Sequence, residues 1–149
     1  MSFKDNINTW IFDLDNTLYS ADSGIFQQVH KLMGEFVAKN LNMELAEAKK
    51  LQAKYYKQHG TTLRGMMDNH GVDPDHFLEE VHKLDYSIVG PNQSLNDELF
   101  KLEGRKIIYT NANKQHVLDV LEKINLTNFF DEIYDICLLY TSPSPRDLP

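Results

Sequence analysis

Trp10-Ile11-Phe12-Asp13-Leu14-Asp15-Asn16-Thr17-Leu18-Tyr19 is the stretch whose reading decides the fold of this chain. Thr9 to Phe12 are apolar or β-prone, and they run into two carboxylates and a polar turn. An apolar run this short, bounded by turn residues, predicts a buried strand with the acids at its C-terminal end. In open parallel sheets that end faces the ligand crevice. Two carboxylates are costly to bury idle, so they are expected to meet a cation or to do proton chemistry. Residues i and i+2 of a strand-to-turn segment project the same way, so Asp13 and Asp15 are expected to share one side.

Other readings compete for the same residues. A calcium-binding helix-loop-helix would want an acid or Asn at position 17, Gly at 18 and a helix before them. Thr17 and Leu18 after a strand argue against it. A short D-x-D also binds metal-nucleotides in glycosyltransferases, and that tripeptide alone does not distinguish the two. A plain surface turn with two acids is the simplest alternative. The strand before the acids, and Thr and Leu after them, weigh against it.

The whole chain of 149 residues suffices for one ordinary domain or a core with a small insert. Apolar residues at 42% and charged residues at 25% are those of a globular protein. A net charge of −7 argues against a nucleic-acid polymer as partner, because no basic stripe exists to neutralise phosphates. A small phosphate ester bound at a metal is compatible with it. One cysteine, Cys137, forms no internal disulfide, which suits a reducing compartment. The N-terminal residues carry no apolar signal region, and no run approaches membrane-spanning length, so a cytoplasmic location is expected. On that expectation the triplets Asn92-Gln93-Ser94 and Asn125-Leu126-Thr127 are chance matches to a glycosylation site.

After Tyr19 the hydrophobic period becomes helical. Ile25, Phe26, Val29, Leu32, Met33, Phe36, Val37 and Leu41 predict one helix, with Ser23 as its cap. A second is expected from Met43 to about Gln58, with Leu45, Ala48, Leu51 and Tyr55 inward and Gly60 ending it. Thr61 to Asn69 suggests a short helix closed by Gly71. Asp73-Pro74 then starts another that carries Phe77, Leu78, Val81 and Leu84 inward. Asp85 to Gln93 reads as a linker, and a helix follows near Ser94–Leu102. Arg105 to Thr110 is a second strand. Asn113 caps a helix to Ile124 bearing Val117, Leu118, Leu121 and Ile124, and Glu132 to Ile136 is a short third strand. Strand, helices, strand, helix, strand implies a right-handed parallel α/β sheet. The six histidines, at 30, 59, 70, 76, 82 and 116, show no metal-ligand spacing and read as scattered surface or helix residues.

At the end of the second strand, Ile107-Ile108-Tyr109-Thr110-Asn111-Ala112-Asn113 offers a hydroxyl, backbone N–H groups and a helix N-terminus. Such a strand end suits an anion, although finishing a strand and capping a helix explain the same residues.

Together, D-x-D-x-T after a strand and Thr-Asn at a second strand end resemble the first two motifs of the haloacid dehalogenase-like (HAD) phosphatases. The resemblance implies a parallel Rossmann-like HAD core, incomplete here, with an inserted α-helical cap. The core would comprise residues 1–19 and 91–136 and the cap 20–90. It further implies that Asp13 is a nucleophile forming an aspartyl-phosphate and that Asp15 is the acid and base. Asp13 and Asp15 would hold Mg²⁺, and Thr110 and Asn111 the phosphate. With Tyr55-Tyr56 and Gly60-Thr61-Thr62-Leu63-Arg64-Gly65, the likeness is to the pyrimidine 5′-nucleotidase branch and covers roughly residues 6–136. The implied activity is hydrolysis of a nucleoside monophosphate such as UMP or CMP, with Thr62 and Arg64 near the substrate. A phosphomutase uses the same residues, and an inactive fragment or a phosphate-ester binding module is the other alternative.

The family also uses a downstream Lys and an acidic strand end. After Ile136 the chain runs Cys137 to Pro149, with three of its five prolines in the last seven residues. That segment resembles translated vector or adaptor sequence, so residues 137–149 are expected to be a non-native tail. On this reading the polypeptide as written is poorly soluble and nearly inactive. Its first strand would be left as an exposed apolar edge, while the full-length parent would be a phosphatase.

Overall fold

A computed structural model of the chain describes residues 7–135. The elements follow the expected order: β1 (Thr9–Phe12), α1 (Ile25–Leu41), α2 (Leu45–His59), α3 (Thr62–His70), α4 (Pro74–Val81), α5 (Gln93–Phe100), β2 (Arg105–Tyr109), α6 (Lys114–Lys123) and β3 (Glu132–Tyr134). Short 3-10 turns occupy Ala21–Ser23 and Tyr86–Ile88. The strands form one parallel sheet in the order β1-β2-β3, so the fold is α/β. The chain divides into two units, one of residues Ile25–Leu84 and one formed by the segments on either side of it.

In the sheet unit, β2 lies between its two neighbours, and Ile107 and Ile108 on it are buried. α6 contributes Val117, Val120 and Leu121 to the same core, joined by Leu14, Leu99 and Leu126. β1 departs from the buried strand expected from its composition and matches the exposed apolar edge expected of a core without its last strands. It is an edge strand among the described residues, and Ile11 is 70% exposed. Its attachment to β2 is nevertheless specific. Trp10 Nε1 donates to the Glu103 carbonyl at 2.8 Å, and Arg105 N–H donates to the Asn8 carbonyl at 2.9 Å. Gly104, between them, has φ +98°, and a Cβ there would lie 2.7 Å from the Asn8 carbonyl oxygen. Backbone meets backbone at this point, so a side chain cannot be accommodated by a rotamer change. The expected third strand ends at Tyr134; Ile136 and the tail 137–149, with Cys137, lie outside the described residues.

In the helical unit, α1 buries Ile25, Val29, Phe36 and Val37, α2 Ala48 and Tyr55, α3 Leu63 and Met66, and α4 Phe77, Leu78 and Val81. Phe36 and Phe77 meet edge to face with centroids 4.9 Å apart. Gly65 lets α3 approach α2, since a Cβ there would sit 2.4 Å from Tyr55 Cγ.

The helix ends follow their local chemistry, with small corrections to the expected bounds. Ser23 belongs to the 3-10 turn, and Gly24 separates it from α1. α2 begins at Leu45 rather than Met43, because the Met43 N–H is committed to closing α1: it donates to the Ala38 carbonyl while Asn42 turns left-handed at φ +49°. Asn125 closes α6 in the same way, with Leu126 N–H donating to the Leu121 carbonyl. Thr61 caps α3 and Gly71 closes it; Asp73 caps α4 with Pro74 at its first position. Phe26 and Leu45, expected inward, are exposed.

The close approach at Gly104 predicts a specific substitution pattern. Gly104→Ala should cost about 2 kcal/mol or more, combining left-handed strain with a backbone clash. Gly104→Asn, which tolerates the left-handed region, should recover little of that loss. Urea denaturation of both variants checks this; near-complete recovery by Asn would show that conformation alone selects the glycine.

Candidate active site

The turn after β1 is built around Leu14. Its side chain is fully buried, and its carbonyl accepts the N–H groups of Thr17 (3.2 Å) and Leu18 (2.9 Å). Closing so tight a turn places Asn16 at φ +59°, a conformation Asn tolerates. The two acids beside Leu14 meet different surroundings. Asp13 is exposed; its Oδ1 accepts the Leu14 N–H at 2.9 Å and its Oδ2 the Thr17 hydroxyl at 3.4 Å. Asp15 has a side chain only 29% exposed, and its Oδ1 accepts the Tyr19 hydroxyl at 2.5 Å and lies 2.7 Å from His116 Nε2.

His116 corrects the reading of the histidines as scattered surface or helix residues. It is 1% exposed, in the first turn of α6, and its second ring nitrogen, Nδ1, lies 2.7 Å from the Tyr86 hydroxyl. The expected inward residue Leu118 is instead 44% exposed. A legible signal existed: His116 continues the stripe of Val117, Val120, Leu121 and Ile124 at helical spacing. Tyr86, in a segment expected to be only a linker, had none.

β1 and β2 are parallel, with Phe12 opposite Ile108, so Asp13 and Thr110 leave the same edge of the sheet. Thr110 is buried; its N–H donates to the Tyr134 carbonyl, and its hydroxyl accepts the Ala112 N–H at 3.1 Å. Asn111 is exposed. The start of α6 is less open to an anion than expected. Asn113 Oδ1 takes the His116 N–H, and the Asp135 carboxylate takes the Lys114 N–H, both at 2.9 Å. Two of the helix's unpaired donors are therefore already satisfied, one of them by a negative charge. Beside the Asp15 turn lies a recess of about 690 Å³, lined in part by Asn16, Thr17, Tyr19, Gly90 and Asn92.

Thr62 and Arg64 belong to the helical unit. The Thr62 hydroxyl is buried and donates to the Gln52 carbonyl, tying α3 to α2. Arg64 Nε pairs with Asp68 one turn on. Among the described residues no group of three or more His, Cys, Asp or Glu gathers as a metal cluster, and no helix is long and apolar enough to cross a membrane.

A family model described as haloacid dehalogenase-like hydrolase matches residues 10–146. Phosphate metabolism protein 8 of Saccharomyces cerevisiae is 25% identical over 136 residues, which is 83% of this chain and 42% of that protein. YfnB of Bacillus subtilis, described as a HAD-hydrolase bound to magnesium, is a structural neighbour with TM-score 0.47 and 16% identity. That match covers 86% of this chain and 64% of the neighbour. The chain thus spans under half of the yeast relative and under two thirds of the bacterial one.

Burial, and secondarily the Asp15 carboxylate, pushes the Tyr19 phenol far above its ordinary range; burial, then Asp119 and Asp15, does the same for Tyr86. A phenol whose ionisation is raised by folding contributes stability that is present below its unfolded pKa of about 10 and lost as pH climbs beyond it. The urea midpoint should therefore fall between about pH 10 and 11, less steeply in Tyr19→Phe. Absorbance at 295 nm should show these two tyrosines ionising only with unfolding.

Proposed function

The chain belongs to the haloacid dehalogenase-like hydrolases, and from that premise we propose that it carries the nucleophile half of a phosphomonoesterase. The observation behind this reading is the parallel pairing of β1 with β2, which brings the Asp13-x-Asp15-x-Thr17 and Thr110-Asn111 segments to one sheet edge.

In the proposed reaction an Asp13 carboxylate oxygen forms a bond to phosphorus as the bond from phosphorus to the ester oxygen breaks. The leaving oxygen takes a proton from Asp15 and departs as the alcohol. Asp15, now ionised, removes a proton from water. That water attacks phosphorus, the bond to Asp13 breaks, and inorganic phosphate leaves with Asp13 restored. The Thr110 hydroxyl and the Asn111 amide would hold the phosphoryl oxygens.

The Asp13 carboxylate is exposed, and with the Asp15 main-chain carbonyl it offers hard oxygen donors of the kind Mg²⁺ prefers. These two groups would hold the ion, which would keep most of its water. When bound, Mg²⁺ supplies charge neutralisation between carboxylate and phosphate.

For the substrate we propose a pyrimidine nucleoside 5′-monophosphate, supported by the likeness of the two core motifs and of the Gly60–Gly65 segment to that branch. Residues Ile25–Leu84 would act as the cap that excludes water and selects the leaving group, with Arg64 at the substrate and Thr62 bracing its helix.

Phosphate release from UMP and CMP in the presence of Mg²⁺ tests this reading, and this and the other turnover assays are made on the full-length parent expected above. Asp13→Asn should lower the rate by about a thousand-fold or more, and Asp15→Asn by about 10²–10⁴-fold. Chelation with EDTA should abolish turnover. An Asp13→Asn protein that hydrolyses nucleotides at the original rate would overturn it.

A further inference from the structure

The carboxylate of Asp15 is largely withdrawn from water, and protein donors take water's place. Tyr19 reaches it from four residues along the same turn, at 2.5 Å. His116 reaches it from 101 residues away, at 2.7 Å. Each imidazole nitrogen of His116 has a defined neighbour, Asp15 Oδ1 at Nε2 and the Tyr86 hydroxyl at Nδ1. Asp15 Oδ1 already accepts the Tyr19 hydroxyl, so a proton held for the leaving oxygen belongs on Oδ2, and Oδ1 is the acceptor toward which Nε2 carries its proton. With Nε2 carrying the proton, the Nδ1 of that tautomer is an acceptor, which suits the Tyr86 hydroxyl 2.7 Å away as its donor. These contacts fit a chain that runs from the Tyr86 O–H to His116 and from the His116 N–H to Asp15.

Both links are held by local structure. Asn113 caps α6 by accepting the His116 N–H, which fixes the backbone from which the ring projects. Tyr86 opens a 3-10 turn whose cap, Asp85, accepts both the N–H and the hydroxyl of Ser87. The Tyr86 ring lies against the imidazole with centroids 5.6 Å apart. The burial that raises the Tyr86 phenol keeps its proton available for donation.

We propose that His116 is a positioning residue for Asp15, itself oriented by Tyr86. This rests on the reading of Asp15 as the group that protonates the leaving alcohol. A carboxylate leaving a strand end has several accessible rotamers, and proton transfer requires it within hydrogen-bond reach of the leaving oxygen. A buried ring whose own orientation is fixed removes that freedom, as hydrogen-bonded partners do for metal ligands and catalytic bases. His116 touches no reacting atom in this scheme; its effect passes through Asp15.

The experiment compares two phosphate esters in the wild type, His116→Ala, His116→Gln and Tyr86→Phe. UMP has an alkoxide leaving group that needs a proton, whereas p-nitrophenyl phosphate releases a phenolate that leaves without one. His116→Ala should lower kcat for UMP about 10–100-fold, with KM within about two-fold. The first turnover on p-nitrophenyl phosphate should fall by no more than about three-fold. His116→Gln, which keeps a side-chain N–H, should restore part of the loss, and Tyr86→Phe should be milder than His116→Ala. Equal losses on both esters, a loss carried by KM, or no loss on UMP would overturn the proposal. Should His116→Ala fail to fold, the Gln and Tyr86→Phe variants carry the same comparison.

Nitrogen-15 spectra of the His116 imidazole provide a readout independent of turnover. Nε2 should be protonated and Nδ1 an acceptor, with shifts in Tyr86→Phe and Asp15→Asn. A ring protonated on Nδ1 instead, or indifferent to both changes, would overturn the proposal. Nucleotide hydrolysis that survives Asp13→Asn, alongside the expected imidazole spectra, would instead count against the phosphatase reading.

Discussion

Leu14 carries no chemistry of its own, yet the strand end is arranged around it. Burying its side chain completely is worth about 2 kcal/mol and anchors the turn in the sheet unit's core. Its carbonyl then gathers two N–H groups, which curls the chain at once and requires the left-handed backbone at Asn16. With that residue pinned inward, its neighbours on either side leave the core by different routes. Asp13 comes out into water against the Leu14 N–H and the Thr17 hydroxyl, while Asp15 stays half inside.

Two carboxylates of one short motif thus have different electrostatic surroundings. The exposed one keeps most of its water and is open to a cation and to an incoming group. The half-buried one has exchanged water for Tyr19 and His116, and those donors hold it in place. This division suits the proposed roles, in which Asp13 attacks and Asp15 moves a proton.

The remainder of the fold keeps this edge of the sheet in register. Gly104 allows the backbone preceding β2 to touch Asn8, and Trp10 locks the same end through the Glu103 carbonyl. In the helical unit, Gly65 performs the equivalent service for α3 against Tyr55. Asn42, Gly71 and Asn125 close helices by adopting the left-handed conformation, so the triplet at Asn125 has a backbone role quite apart from any glycosylation.

What the sequence determined alone is everything governed by neighbours a few residues apart. The strand of Thr9–Phe12, the caps at Thr61, Asp73 and Asn113, the closure at Gly71 and the alternation that implies a parallel sheet are all set by local propensity and period. The position of the acids at a strand's C-terminal end was legible for the same reason. Tertiary structure decided what local pattern does not encode. β1 reads as a buried strand from its composition, yet it is an edge strand in the described sheet and Ile11 is exposed while its pair Ile107 is buried, so what covers each strand is decided by packing. Asp135 at the start of α6 depends on where β3 ends, 21 residues beyond the N–H it accepts. Asp15 meets His116, and His116 meets Tyr86, only when chain segments 101 and 30 residues apart are folded together. The helical period placed His116 on the inward stripe of its helix, but hydrogen bonding at those separations is a property of packing and has no periodic trace in the sequence.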